Sequence, residues 1–296
     1  MGGRTIKLYI MGDDFNNLKS AELSSWSGKV FIGQRKHSNL IKNLPDLGVP
    51  GTYMLIAKDE QSLLSKLYIG EADTINSRIY NHYVQKDWWD TFVAFVSKDA
   101  NLTKSHARYL EKELHSVASQ NAPSIQIMNE SEPTGSKLPL PDIDEMNEFL
   151  ANMLFILENL GIVDFAAGKS KVDIVEKDLF YISLTRDRVD SKGNVVQARM
   201  AITKDGYRLL KGSYIENDER DSFADHPYHA LRKNLDDNSF FELSEVSGCQ
   251  RLKKDTDFTS PSAAASIVKN RAVNGRKEWK QSDGTTLDDY EAKIKK

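Results

Sequence analysis

Polar and apolar positions alternate from Thr5 to Ile10, the Gly12-Asp13-Asp14 cluster turns the chain, and another apolar run covers Lys29 to Ile32 after Trp26. Residues 1–49 therefore read as a small β segment of short strands. Pro50-Gly51 opens a new unit, with a strand at Thr52 to Ala57, a polar connection from Lys58 to Lys66, and a second strand at Leu67 to Ile69 closed by Gly70. Asp73 or Thr74 can cap a helix that carries Ile75, Ile79 and Tyr83 on one side, and Thr91 to Val96 is a third strand. Thr103 caps a second helix, in which Ala107, Leu110, Leu114, Val117 and Ala118 form one apolar stripe that packs against the sheet.

The segment from Asn121 to Pro141, rich in Pro, Ser, Asn and Gly, reads as a linker or an ordered long loop. Asp142 then caps the strongest helical pattern, Ile143, Met146, Phe149, Leu150, Met153, Leu154, Leu157 and Leu160, ended by Gly161. Its apolar face is expected to dock one domain onto the next. Val195 to Ile202, a turn at Asp205-Gly206, and Tyr207 to Leu210 read as a hairpin. Ser260-Pro261 starts a helix with small residues from Ala263 to Val268, Asn274-Gly275 turns the chain, Lys277 to Lys280 reads as a short strand, and Thr286 caps a last helix. The expected fold class is α+β. Its predicted parts are an N-terminal β segment (1–49), a core of three strands flanked by helices (50–130), a linker with its connecting helix (131–194), and a C-terminal α+β domain (195–296).

Composition narrows the function classes. Among 296 residues, 40% are hydrophobic and 28% charged, enough apolar surface for packed cores in two or three domains. No run approaches a membrane span, and the N-terminus has no signal-peptide core, so a soluble, cytoplasmic protein with no membrane partner is expected. The single cysteine, Cys249, rules out an internal disulfide and a thiolate zinc site. The net charge of −3 does not advertise nucleic acid, yet its distribution is uneven. Residues 1–49 and 251–296 carry basic excesses, while residues 131–194 are acidic, so either end can lie near phosphate or simply be a solvated surface.

Chemistry-bearing residues gather in the second unit. Arg78 and His82 stand four apart on one helix and share a face beside Ile75 and Ile79. Tyr53 and Tyr68 lie on adjacent strands, and antiparallel pairing lets both phenols stand on one sheet face near that helix. Glu111 borders the apolar stripe of the second helix, but Glu113 and His106 border its other edge, and spacing alone does not choose among them. Elsewhere structure is the better account. His106 and His115 read as solvent-edge residues, His226 and His229 as loop residues around Pro227-Tyr228, and Trp88 and Trp89 as core anchors.

The ordered set Gly51-Thr52-Tyr53, Tyr68-Ile69-Gly70, Arg78, His82, Glu111 and Asn129 resembles the GIY-YIG nuclease family over residues 50–130, which implies a three-stranded antiparallel sheet flanked by helices. The first tripeptide has Thr52 where that family usually has Ile, a change expected to affect packing because Thr52 points away from the Tyr53 face. The resemblance breaks the tie toward Glu111 as the metal-binding carboxylate, and it implies phosphodiester hydrolysis by water with one Mg2+ or Mn2+ ion. In that reading Arg78 stabilises transition-state charge, Tyr53 is the base, with Arg78 and metal favouring its phenolate, His82 orients it, and Tyr68 contacts phosphate or water.

Outside the core, Trp26, Ser97-Lys98-Asp99 and Asn101-Leu102-Thr103-Lys104, with Lys211-Gly212-Ser213, Phe258 to Ala265 and Asn274 to Lys280, resemble a bacterial subgroup with a C-terminal domain of unknown function. The expected function is a divalent-metal-dependent endonuclease acting on DNA rather than RNA. The alternative is a catalytically weak nucleic-acid-binding or adaptor protein that keeps the fold. Lys104, Asn129, Lys277, Trp279 and Lys280 are the expected nucleic-acid contacts, with Trp279 stacking a base between two lysines. The oligomeric state is open, a homodimer included.

Overall fold

The computed structural model describes residues 3–12, 18–58, 64–121, 124–163, 165, 179–184, 189–190, 193, 195–203, 206–220 and 223–294. Asp205 and the acidic cluster Asp13-Asp14, both expected at turns, lie outside them. The chain is α+β and divides into two compact units, one of residues 1–59 and 65–165, the other of residues 60–64 and 166–296. Among the described residues no helix is long and apolar enough to cross a membrane.

The first unit is built on a seven-stranded mixed sheet. Its strands are β1 (Ile6–Ile10), β2 (Lys19–Leu23), β3 (Gly28–Gln34), β4 (Gly51–Lys58), β5 (Ser65–Ala72), β6 (Thr91–Ser97) and β7 (Ile125–Ile127), in the order β1-β2-β3-β6-β4-β5-β7. The expected antiparallel trio β6-β4-β5 is its centre, but the sheet does not stop there. β3 pairs antiparallel with β6 from Gly28↔Ser97 to Gln34↔Thr91, and β7 adds a parallel pairing to β5. Both additions occupy strand edges whose backbone groups would otherwise lack partners. The N-terminal strands thus extend the central sheet, where a separate small layer was expected.

Among the described residues, four α-helices belong to this unit: α1 (Ser38–Ile41), α2 (Ile75–Gln85), α3 (Lys104–Asn121) and α4 (Leu140–Asn159). Alternation along β4 separates two cores. Tyr53 and Leu55 join Ile75 and Ile79 of α2 on one face, while Met54 and Ile56 join Leu110 and Leu114 of α3 on the other. Burying Ile75 and Ile79 completely holds α2 with about 1.5–3 kcal/mol each. Thr103 caps α3, its hydroxyl accepting from the His106 N–H at 3.3 Å. α4 begins at Leu140, two residues before the expected cap, and Asp142 sits in its first turn. Its apolar face packs inside the first unit, where Phe149 meets Trp26 with ring centroids 4.7 Å apart. The Gly161 end is as expected: φ is +63°, and the Ile162 N–H returns to the Leu157 carbonyl.

In the second unit β8 (Leu179–Ser183), β9 (Gln197–Thr203), β10 (Gly206–Leu209) and β14 (Thr256–Phe258) make an antiparallel sheet ordered β14-β10-β9-β8. β11 (Tyr214–Glu216), β13 (Cys249–Leu252) and β12 (Phe241–Leu243) make a smaller one. The expected hairpin is present as β9 and β10. Helices α5 (Pro227–Asp237), α6 (Pro261–Lys269), α7 (Gly275–Glu278) and α8 (Leu287–Ile294) complete the unit. Ser260 caps α6, its hydroxyl accepting from the Ala263 N–H at 3.1 Å, and Thr286 caps α8. Of the expected strand at Lys277 to Lys280, Lys277 and Glu278 instead close the short helix α7, because the Asn274 side chain accepts from the Arg276 N–H and starts a helical turn, while Lys280 forms isolated antiparallel bridges with Tyr181 and Thr286.

Candidate active site

Tyr53 lies on β4 opposite Gly70 of β5, and Tyr68 stands one diagonal step away on the same face. The two rings are 6.2 Å apart between centroids, and the His82 ring lies 5.6 Å from Tyr53 and 5.2 Å from Tyr68. Gly70 makes this possible: a Cβ there would come 2.4 Å from the Tyr53 hydroxyl oxygen and 2.5 Å from its ring carbon Cζ. Gly51 has a different reason, since its Cβ would meet the Phe95 carbonyl oxygen at 2.3 Å. The glycines of both tripeptides therefore mark close approaches.

The polar connections are ordered. The Arg78 Nε–H donates to the Tyr53 oxygen at 3.2 Å, and the same oxygen lies 2.7 Å from His82 Nε2. Because arginine can only donate, the phenol oxygen accepts from Arg78, and a neutral His82 completes the second hydrogen bond, its Nε2 donating or accepting according to the tautomer. Electrostatics agree: burial, then the charges of Arg78 and Lys86, lower His82 to about 4. Tyr53 is fully buried, and burial followed by Tyr68 raises its phenol well above the ordinary tyrosine value, against the lowering pull of Arg78. Desolvation disfavours phenolate more than one arginine favours it, so the resting phenol is neutral. The phenolate expected through Arg78 is not what this environment favours.

Glu111 joins this cluster through charge. Its carboxyl is raised to about 7, by burial first and then by Glu71, while Arg108 and Arg78 pull it down. The structure thus brings Tyr53, Tyr68, Arg78 and His82 together by direct contact, and puts Glu111 within the influence of Arg78 from the α3 side of the sheet. His106, which also bordered the α3 stripe, instead faces Asp142 at 3.3 Å.

Thr52 does more than fill space. It is completely buried, and its hydroxyl donates to the Ala107 carbonyl of α3 at 3.1 Å, one helical turn before Glu111. Two further residues were not singled out in the sequence. Lys86 places its ammonium 5.3 Å from the Tyr68 ring centroid. Glu71 accepts from Arg108 Nε at 3.3 Å, while its second carboxylate oxygen is buried with no hydrogen-bond partner. Glu71 had a sequence signal, a carboxylate directly after Gly70 on a strand whose alternation aims it at α3.

The expected nucleic-acid contacts divide. Lys104 is exposed and paired with Asp73 at the start of α2. Asn129 uses its amide on the backbone of β5, accepting from the Ile69 N–H at 3.0 Å and donating to the Ile69 carbonyl at 2.7 Å, which makes it a strand clamp. Lys277 and Lys280 are exposed. Trp279 is completely buried, with its indole N–H on the Pro261 carbonyl at 3.0 Å, so it has no free face for a base. Trp89 is buried in the core as expected, and His115 is buried rather than at the solvent edge. His226 caps α5, its ring nitrogen accepting from the Tyr228 N–H, and His229 within α5 faces Glu219.

Residues 189–291 match the family model described as a domain of unknown function, DUF4357. No curated protein and no solved structure matches the chain. The DUF4357 match covers most of the second unit, and there it agrees with the likeness seen in the sequence. The likeness of residues 50–130 to GIY-YIG nucleases is not carried by that match and rests on the residues themselves.

Does a hard divalent cation fit the Glu111 region? The donors there are carboxylate oxygens, and a buried Glu71 oxygen lacks any hydrogen-bond donor, both suited to such an ion. Among the described residues, no group of three or more His, Cys, Asp or Glu could hold a metal, so an ion at Glu111 would need oxygens from outside the protein to complete its shell.

Proposed function

We propose that the first unit is a GIY-YIG type endonuclease that hydrolyses phosphodiester bonds in DNA with one Mg2+ or Mn2+ ion. The observation that carries this reading is the Tyr53 hydroxyl, which receives Arg78 on one side and abuts His82 Nε2 on the other. A buried tyrosine on a strand needs one hydrogen-bond partner; two basic side chains on one helix face give it a proton path and a neighbouring cation.

Arg78 binds a non-bridging phosphate oxygen and stabilises the charge that grows there, while remaining in contact with Tyr53. Tyr53 is completely buried in the free protein, so a movement of the half-exposed Tyr68 ring on substrate binding opens its oxygen to the attacking water, whose proton it accepts as its own proton moves to His82 Nε2. The transfer from Tyr53 to His82 spans 2.7 Å, and no free phenolate has to form beforehand. Tyr68, half-exposed beside both rings, orients the water or a phosphate oxygen. Glu111 would hold the divalent ion, which when bound polarises the phosphoryl oxygens and offsets negative charge. Exposed Lys104, Lys277 and Lys280 supply sequence-independent phosphate contacts.

Plasmid incubated with Mg2+ and purified protein tests this, beside Arg78→Ala and Glu111→Ala. Cleavage by the wild type, abolished by chelator and slowed about 100-fold or more in both variants, is the expected result. Equal products from all three proteins would leave only a contaminant. Nucleic-acid binding without cleavage would favour the adaptor reading.

A further inference from the structure

Asn129 closes the β5 edge at Ile69, and two positions on, Glu71 lies close enough to the Glu111 carboxylate for its charge to raise it. The Glu111 carboxylate and the Glu71 residue therefore meet where β5 and α3 cross. Arg108 takes one oxygen of the Glu71 carboxylate, and the other is enclosed with no donor. A buried carboxylate oxygen without a donor, repelled by a second carboxylate, is costly unless a proton or a cation lies between them. Arg108 does not serve that oxygen, and no other described side chain does.

We propose that Glu71 is a second carboxylate ligand of the divalent ion assigned to Glu111, so that the ion is gripped between β5 and α3 instead of from α3 alone. This rests on the nuclease reading. One or two carboxylates completed by water and phosphate oxygens is a common magnesium arrangement, and two raise the affinity of the site in the absence of substrate. The role also gives a reason for a carboxylate directly after Gly70, where a packing residue would leave no orphaned oxygen.

Mn2+ uptake by the full chain, read from the electron paramagnetic resonance of free Mn2+ with no nucleic acid present, tests this apart from activity. Glu71→Gln and Glu111→Gln should each weaken Mn2+ binding about tenfold or more, while Glu113→Gln leaves it unchanged. Arg108→Gln separates ligation from structure. If Glu71 served only its ion pair with Arg108, the two variants would behave alike, whereas a ligand role leaves Mn2+ binding intact or tighter in Arg108→Gln. Glu71→Asp, which keeps the charge on a shorter stem, should bind between wild type and Glu71→Gln and covers the case in which the glutamine variant does not fold. Wild-type uptake by Glu71→Gln, with loss only in Glu111→Gln, overturns the proposal and leaves the nuclease reading standing. A wild type that cleaves plasmid yet takes up no Mn2+ on its own also overturns the two-carboxylate site. A wild type that neither binds Mn2+ nor cleaves overturns both.

Discussion

Replacing Gly70 by alanine adds one methyl group at the most crowded point of the candidate site. In a strand, the change by itself would be mildly favourable, since glycine costs about 0.5–1 kcal/mol relative to alanine. Here the new Cβ would lie 2.4 Å from the Tyr53 oxygen, 2.5 Å from Cζ and 2.9 Å from Cε1. Tyr53 is completely buried and cannot swing into solvent. Overpacking of this kind costs about 1–3 kcal/mol, and moving the ring also strains the hydrogen bonds to His82 and Arg78, worth about 0.5–1.5 kcal/mol each. The penalties exceed the propensity gain, so the first unit should be destabilised by about 1–3 kcal/mol. Urea unfolding followed by tryptophan fluorescence measures this, because Trp26, Trp88 and Trp89 all lie in that unit. The decisive comparison is the same substitution in a Tyr53→Ala background, where the atoms that clash are gone and the alanine should cost nothing or help slightly. An equal cost in both backgrounds would refute the claim that Gly70 exists to admit the Tyr53 ring.

Thr52→Val removes the buried bond to the Ala107 carbonyl and should cost about 0.5–1.5 kcal/mol by urea midpoint, an unchanged midpoint meaning that the hydroxyl does not fasten α3. Folded His82 stays neutral until about 4, whereas the unfolded residue protonates near 6.5, so stability is lost as pH falls through that window. Glu71-flanked Glu111 acts the other way: its folded value of about 7 stabilises below the unfolded 4.5, and that contribution disappears as pH rises through 7. Glu111→Gln should therefore gain on the metal-free wild type between pH 5 and pH 8, by no more than about 1 kcal/mol after solvent screening of a half-exposed carboxylate, and His82→Gln should flatten the acid limb. Equal pH profiles for the variants and the wild type would contradict both shifts. Trp279→Ala should lose about 3–5 kcal/mol from the second unit as a core truncation, whereas Lys277→Ala with Lys280→Ala should leave its circular dichroism and thermal midpoint intact.

Local patterns carried a large part of this molecule. The short apolar run from Thr52 to Ala57 and the three-and-four spacing of Ala107, Leu110 and Leu114 depend on neighbours in sequence, and the strand and helix appear where those patterns lie. The caps at Thr103, Ser260 and Thr286 were legible for the same reason, since each satisfies amides within its own first turn. Antiparallel pairing of β4 and β5 and the one-face rule for Arg78 and His82 were enough to bring four of the five candidate site residues together.

Other properties were set by distant partners. Whether the N-terminal strands stood alone or extended the central sheet depended on which edge β6 left open, and α4 found a covering surface at Trp26, far away in sequence. The exposure of Trp279 was a question of what Pro261 and α6 leave uncovered, which no spacing encodes. The protonation preference of Tyr53 likewise belongs to the tertiary structure: sequence places a cation beside it, but only complete burial makes desolvation the larger effect. Glu71 has the same lesson, an unremarkable strand carboxylate until α3 brings a second one against it.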